Sequence, residues 1–405
     1  MQLDLFSHVA AAYADAKVCL DNETLYSEVS RRAGLSNDEL NARTPIGEAG
    51  ALRSVVKRKI RWHQQELKAM GVITRHERGI WGLTEKVTED LDRAKSGVKL
   101  VAFSTDLGVA VWGACRDVFG GLEQQIALCV TSPPYPLRIP RAYGNPSESE
   151  YTDFICRSFE PIIKNLMPGA SVCINLSNDI FLPGVPARSL YLERLTIALC
   201  DRFGLYKMDM IPWVNLSKPP APIAWASKKR VQLNTGYEPV LWLTNDPHKV
   251  RSNNRRVLEE HSERHKALLA RGGEQRTAEY GDGAYKLRPG SFGGMTEGRI
   301  PKNVLMRGHV CRDGAQYKED AERLGLPSHG AAFPLAIPDF LIRFLSEPED
   351  LVVDPFGGTI KVGMAAERLG RRWMVSEWIL QYIRASAERF RIFPGYWLNP
   401  MMAAM

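Results

Sequence analysis

Short apolar runs alternate with amphipathic stretches through most of the chain. Ile126–Val130 reads as a buried strand, and Ser171–Asn175, Tyr206–Val214, Tyr237–Leu243, Leu351–Val353 and Trp373–Ser376 read as further strands. Val98–Phe103 reads as a further strand, and Val109–Phe119 as a short strand or helix. Between them, Tyr151–Leu166, Tyr191–Phe203, Pro338–Leu345, Val362–Leu369 and Ile379–Phe390 carry helical spacing, with Pro168-Gly169 stopping the first. Strands and helices alternating at this spacing predict a parallel α/β sheet.

The pattern changes at both flanks of this core. Residues 1–95 predict a separate domain: a short helix over Leu25–Ala33 with Asn22 as cap, and a long one over Gly47–Met70 ended by Gly71. The apolar face of the long helix is Val55, Val56, Ile60, Trp62, Leu67 and Met70. Val72–His76 and Ile80–Thr84 then flank a Gly-containing turn and predict a hairpin, which completes a winged-helix pattern. Arg53, Lys57, Arg58, Lys59 and Arg61 on the helix and Arg75 and Arg78 on the hairpin fit auxiliary DNA binding; they fit a solvated face of a packing domain equally. Lys86–Lys99 reads as a linker. The α/β pattern runs over 96–245, breaks over 246–328 and resumes over 329–395. The 246–328 stretch is polar and Gly-rich, with one helix expected around Val257–Ala270, capped by Gly272. His261 and His265 stand four apart on it, without the further ligands a metal site needs, so no metal is expected.

Charge sharpens the reading of that insert. Lys249–Arg312 holds fourteen Lys and Arg against seven Asp and Glu, an excess equal to the formal +7 of the whole chain. A polyanionic partner fits this, and double-stranded DNA is the expected one. No apolar run reaches membrane-spanning length, and the amino terminus has no signal-peptide pattern, so a cytoplasmic protein without membrane contact is expected. The seven cysteines are scattered with no Cys-x-x-Cys pair, so neither a disulfide framework nor a zinc ribbon is indicated.

Two stretches carry chemistry. Thr131-Ser132-Pro133-Pro134-Tyr135 follows the strand 126–130, and its prolines fix a stiff loop at a strand's carboxyl end, where open α/β sheets place ligands. Taken alone, a Pro-rich turn explains it as well. Asp354-Pro355-Phe356-Gly357-Gly358-Thr359 follows another strand, and Glu377 closes the next. Strand, Gly turn, helix, strand, acid is a nucleotide-binding layout, in which the acid takes ribose hydroxyls. The Gly-x-Gly-x-x-Gly of pyrophosphate binders is absent. A nucleoside ligand without phosphates fits better, and S-adenosyl-L-methionine is the obvious one.

Together, Ser-Pro-Pro-Tyr and Asp-Pro-Phe-x-Gly resemble the signature of the amino-methylating DNA methyltransferases. The Ser form and the order of the motifs resemble the beta group of cytosine-N4 enzymes, whose target-recognition region lies between the motifs. Further similar segments are Tyr143–Pro146, Gly184–Ser189, Ser217–Ile223, Phe333-Pro334 and Ala365–Arg368, over about residues 98–392. The resemblance implies a Rossmann-like S-adenosyl-L-methionine-dependent methyltransferase sheet with an inserted target-recognition region. It implies methyl transfer to the N4 amino group of a flipped cytosine, with Ser132 and the Pro133 carbonyl as acceptors, Pro134 stiffening the loop and Tyr135 stacking on the base. Thr131, Phe333, Pro334, Asp354, Pro355, Phe356, Gly357, Gly358, Thr359, Glu377 and Trp378 would form the cofactor site. Lys218 would lie near the target base. Arg251, Arg255, Arg256, Lys286 and Arg288 of the insert are the candidate DNA contacts. A cognate restriction endonuclease and a homodimer are the further partners considered.

Three departures stand out. Asn175 occupies a position where a cytosine-N4 enzyme of the group has Asp; Asn cannot accept a proton at neutral pH, so water or Asp179 would take it. Thr359-Ile360-Lys361-Val362 replaces a Ser/Thr-x-Thr-Thr run. Gly113-Ala114-Cys115 stands where Gly-Asp is usual. An adenine-N6 enzyme, a DNA-binding regulator on a degenerate scaffold, and a methyltransferase for RNA or protein amides remain open alternatives.

Overall fold

The computed structural model describes residues 5–16, 19–46, 51–69, 73–83, 91–137, 144–218 and 220–403. The expected helix stop at Gly71, positions 86–90 of the linker, positions 138–143 and Pro219 lie outside them.

The amino-terminal part comprises α1 (Leu5–Asp15), α2 (Asn22–Ala33), α3 (Asn37–Asn41), β1 (Arg43–Ile46), β2 (Ala51–Ser54), α4 (Val55–Ala69), β3 (Ile73–Glu77) and β4 (Ile80–Leu83). Two expectations are corrected here. The cap of α2 is Asp21, whose carboxylate accepts the Thr24 N–H at 2.8 Å, while Asn22 is the first helical residue. The long helix begins at Val55, because Ala51–Ser54 pair antiparallel with Arg43–Ile46 and the Ser54 hydroxyl receives the Lys57 N–H at the helix start. Ile60 and Leu67 of α4 are fully buried, each contributing roughly 1.5–3 kcal/mol against Leu25, Val29 and Trp81. Trp62, expected on that face, is 60% exposed.

The remainder forms β5 (Lys99–Ser104), β6 (Gly108–Gly113), α5 (Cys115–Phe119), β7 (Ile126–Thr131), α6 (Glu148–Lys164), β8 (Leu166–Asn175), α7 (Tyr191–Phe203), β9 (Tyr206–Val214) and β10 (Tyr237–Thr244). After them come α8 (Glu263–Ala270), β11 (Ala278–Tyr280), β12 (Tyr285–Leu287), β13 (Leu305–Met306), α9 (Arg312–Arg323), α10 (Ala336–Leu345), β14 (Leu351–Asp354), α11 (Lys361–Arg368), β15 (Arg372–Glu377), α12 (Leu380–Ala387), β16 (Trp397–Leu398) and α13 (Pro400–Ala403).

Ten strands make one sheet, in the order β13-β9-β10-β8-β7-β14-β15-β6-β5-β16. Its centre, β8-β7-β14-β15-β6, is parallel, as the alternating pattern predicts. The flanks are antiparallel at β8/β10, β10/β9, β6/β5 and β5/β16, so the sheet as a whole is mixed. Leu128 and Val130 of β7 face one apolar layer with Ile337, Leu341 and Val362; Cys129 faces the other, with Ile155, Phe159 and Leu195. This opposite-face alternation places α10–α12 and α5–α7 on the two sides of the sheet.

Pro168-Gly169 does not end a helix. The pair lies inside β8, where the register to β7 slips, and Gly169 takes φ +79°. A side chain there would strike the Lys249 carbonyl, so the glycine lets the insert's first residues cross the strand. In the insert the helix starts at Glu263, six residues later than expected, because the Ser262 side chain caps it; His261 lies outside the helix and bonds Thr296. No helix among the described residues is long and apolar enough to cross a membrane.

Candidate active site

Four neighbouring strands, β8, β7, β14 and β15, end side by side, and each delivers a polar side chain: Asn175, Thr131, Asp354 and Glu377. Carboxyl ends of adjacent parallel strands are where this architecture opens a crevice.

The Thr131 hydroxyl donates to Asp354 Oδ1 at 2.6 Å, and the Phe356 N–H donates to the same oxygen at 3.0 Å. Both side chains are buried. Burial pushes the Asp354 carboxyl up to about 7 against the pull of these two donors. Glu377 is buried too; its oxygens accept the Gly358 N–H at 2.6 Å and the Ile379 N–H at 2.8 Å. Burial again dominates, and Asp354 adds to it, so this carboxyl also sits at about 7.

The turn between these acids has little room for side chains. A Cβ on Gly357 would collide with Val375. Gly358 has φ +51°, the left-handed conformation that favours glycine. Ile360, at φ +53° and fully buried, starts α11 in a conformation that β-branched residues rarely adopt. Two buried carboxyl groups flanking a glycine turn suit a ligand that brings hydroxyl donors and approaches the backbone closely; a nucleoside ribose does both, so the residues fit S-adenosyl-L-methionine.

The departure at Lys361 acquires a structural reason. Its buried Nζ donates to the Phe333 carbonyl at 2.9 Å, tying α11 to the Phe333-Pro334 segment. Beside it the buried Arg389 donates to the Thr359 carbonyl and to Asp313 Oδ2, the latter at 2.5 Å. Asp313 and Arg389 had no local signal in the sequence. The Pro355 carbonyl accepts the Ser376 hydroxyl at 2.9 Å, and the Phe356 ring packs on Phe154 and Phe159 at 5.8 and 6.5 Å. Trp378 is 39% exposed, with the Arg93 guanidinium over its ring. Ala114 precedes α5 and offers no side-chain cap.

Beside the turn, the Ser132 loop forms a second cluster. Ser132 Oγ lies 3.0 Å from the Tyr135 hydroxyl. That hydroxyl reaches Asn175 Oδ1 and Glu238 Oε2, each at 3.2 Å. Glu238 Oε1 pairs with Lys218 Nζ at 3.2 Å. Burial, with Glu238 beside it, holds the Tyr135 phenol well above its usual range, so it stays protonated. Asn175 Nδ2 is buried and without a hydrogen-bond partner among the described residues. The Asp179 carboxylate accepts the Thr235 hydroxyl at 3.1 Å, and burial raises it. Glu238 was missed in the sequence. Its signal is a lone acid at the start of the apolar run Pro239–Leu243.

The basic insert divides in two. Arg251 pairs with Glu347 and Asp350 at 3.2 and 3.0 Å, and Arg256 donates to the Ser346 carbonyl and pairs with Glu347 at 2.6 Å. These two guanidinium groups fasten the insert to the α10–β14 turn. Arg255 and Arg288 are exposed, and exposed Lys286 pairs with Glu279 at 3.5 Å. In the amino-terminal part, Arg43, Arg53, Lys57, Arg58, Lys59 and Arg61 line a cleft of about 1030 Å³. Lys228 lies 5.6 Å from the centre of the Trp62 ring, so α4 touches the segment that follows Lys218.

Comparison with known proteins agrees with this geometry. The DNA methylase family matches residues 126–388, and the Mrr N-terminal domain matches residues 5–92. The Type II methyltransferase M.PvuII of Proteus hauseri is 34% identical over 293 residues, 72% of this chain and 86% of that protein. The solved structure of the cytosine-N4-specific PvuII DNA methyltransferase superposes with a TM-score of 0.57 and 30% identity, covering 72% of this chain and 89% of that one. The chain belongs to the DNA methylase family that modifies amino nitrogens, whose methyl donor is S-adenosyl-L-methionine.

Proposed function

We propose that this DNA methyltransferase acts on the N4 amino group of a cytosine flipped from duplex DNA, at a specific sequence. The observation that carries the reading is the Ser132 loop, whose hydroxyl lies 3.0 Å from Tyr135 and whose preceding residue, Thr131, is bonded to Asp354 at the cofactor turn. A cytosine amino nitrogen is a poor nucleophile because its lone pair is conjugated with the ring. Ser132 Oγ and the Pro133 carbonyl accept its two N–H bonds and draw it toward tetrahedral geometry; Pro134 keeps both acceptors in place. The Tyr135 ring forms a wall for the flipped base, whose unstacking costs a few kcal/mol offset by these contacts. Bound S-adenosyl-L-methionine supplies an electrophilic methyl group on a sulfonium. Glu377 would take its ribose hydroxyls, Gly357 and Gly358 would let it approach the backbone, and Trp378, Phe333 and Pro334 would hold its adenine and methionine parts.

Residues 246–328 act as the target-recognition region, with Arg255, Lys286 and Arg288 on phosphate. Residues 1–95 act as a winged-helix-like auxiliary DNA-binding domain through the α4 cleft, and 96–245 and 329–395 form the catalytic and cofactor parts. The protein works in the cytoplasm; a homodimer and a cognate restriction endonuclease belong to the same proposal. Ser132→Ala tests the reading. Methyl transfer should fall by roughly 10²–10³-fold with cofactor affinity by calorimetry unchanged. Full transfer by the variant would remove Ser132 from the chemistry.

A further inference from the structure

We propose that Glu238 is a positioning residue of this reaction: its carboxylate sets the direction of the hydrogen-bond chain through Tyr135 to Ser132 and receives the proton that methylation releases. The inference rests on the reading of the Ser132 loop given above. Among the three groups around the Tyr135 hydroxyl, the serine and the asparagine amide can each present a donor or an acceptor. An ionised carboxylate can only accept. Glu238 is ion-paired with Lys218 at 3.2 Å, and as the carboxylate of that pair it accepts from Tyr135, which then accepts from Ser132. Ser132 then turns its lone pairs, not its proton, toward the amino group. That is the orientation an acceptor of a substrate N–H needs.

The same chain accounts for the proton. Once methylated, the amino nitrogen is positively charged and must lose one hydrogen. Its N–H bond breaks with the electron pair staying on nitrogen, and the proton goes to Ser132 Oγ. The Ser132 proton passes to Tyr135, and the Tyr135 proton passes to Glu238 Oε2. The net change is one N–H bond lost and one O–H bond gained on Glu238, whose proton then leaves to water. Asn175 cannot end such a chain, and Asp179 is engaged by Thr235. Glu238 thus supplies the carboxylate that this chain lacks at 175. The charged and titratable groups around it are Lys218 after β9, Asp179 after β8, His309 after β13, Tyr191 of α7 and Tyr135 itself.

The test is single-turnover methylation of duplex DNA against pH for the wild type, Glu238→Gln, Glu238→Asp and Tyr135→Phe, with cofactor affinity by calorimetry. Glu238→Gln should slow transfer by roughly 10²-fold, keep cofactor affinity within about twofold, and lose the rise of rate with pH. Glu238→Asp should restore part of the rate and the wild-type pH profile. Tyr135→Phe cuts the chain one link earlier and should match the Gln variant. A Gln or Phe variant within about threefold of wild type, or a slow Gln variant with the wild-type pH profile, overturns the proposal and leaves the Ser132 reading intact. A wild type that methylates no base overturns that reading and this one with it.

Discussion

The Thr131 hydroxyl donates to the Asp354 carboxylate at 2.6 Å, joining the ends of two adjacent parallel strands that lie 223 residues apart in the chain. The residue before the Ser132 loop is thus fastened to the residue that opens the cofactor turn. Thr131→Val keeps the volume and removes the hydroxyl. It should cost about 1–3 kcal/mol in denaturant unfolding, because a buried carboxyl loses a partner, and it should weaken cofactor binding as well. Unchanged values of both would mean that the bridge does not couple the two loops.

The two buried acids predict a pH dependence. An ordinary Glu titrates at 4.5, and burial holds Glu377 at about 7. Between those values the native state binds more protons than the unfolded state, so stability from this group falls as pH rises through the window and is flat beyond it. The full effect is about 3 kcal/mol. Glu377→Gln removes it, so the Tm of the variant relative to the wild type should climb from pH 4.5 to 7.5. A constant difference would contradict the assigned burial effect.

Arg255 and Arg256 are neighbours with different tasks. Arg255 is exposed, whereas Arg256 holds Ser346 and Glu347. Arg255→Ala should reduce the salt slope of DNA binding by about one and leave stability alone. Arg256→Ala should lower Tm by on the order of a few degrees. An equal change of salt slope in both variants would mean that the ion pair opens on DNA.

The parts of the fold legible in the sequence are those with strong local patterns. Tyr191–Phe203 and Tyr206–Val214 fall where their spacing predicts: the helix buries Tyr191, Leu195 and Leu199 on one face, and the strand buries Ile211 and Trp213 in alternation. The β1–β2 hairpin was hidden because Ala51-Leu52-Arg53-Ser54 also suits a helix, and only pairing with Arg43–Ile46 makes it a strand. Helix α9 escaped because it turns only Tyr317 and Ala321 as apolar residues into the core. Within the site, Ser132, Asp354 and Glu377 were marked by their motifs. Glu238 reaches Tyr135 only through the folding of β10 beside β8, a relation that no local spacing encodes. Arg251 and Arg256 looked like free cations because their partners, Glu347 and Asp350, lie about a hundred positions away.

The most direct measurement is mass spectrometry of nucleosides from plasmid DNA incubated with the purified protein and labelled S-adenosyl-L-methionine. The account predicts label in N4-methylcytosine, at one sequence context when the modified positions are read. Label confined to N6-methyladenine would contradict the assignment of the base, and no label in any base, with the cofactor bound, would contradict the assignment of DNA cytosine as substrate.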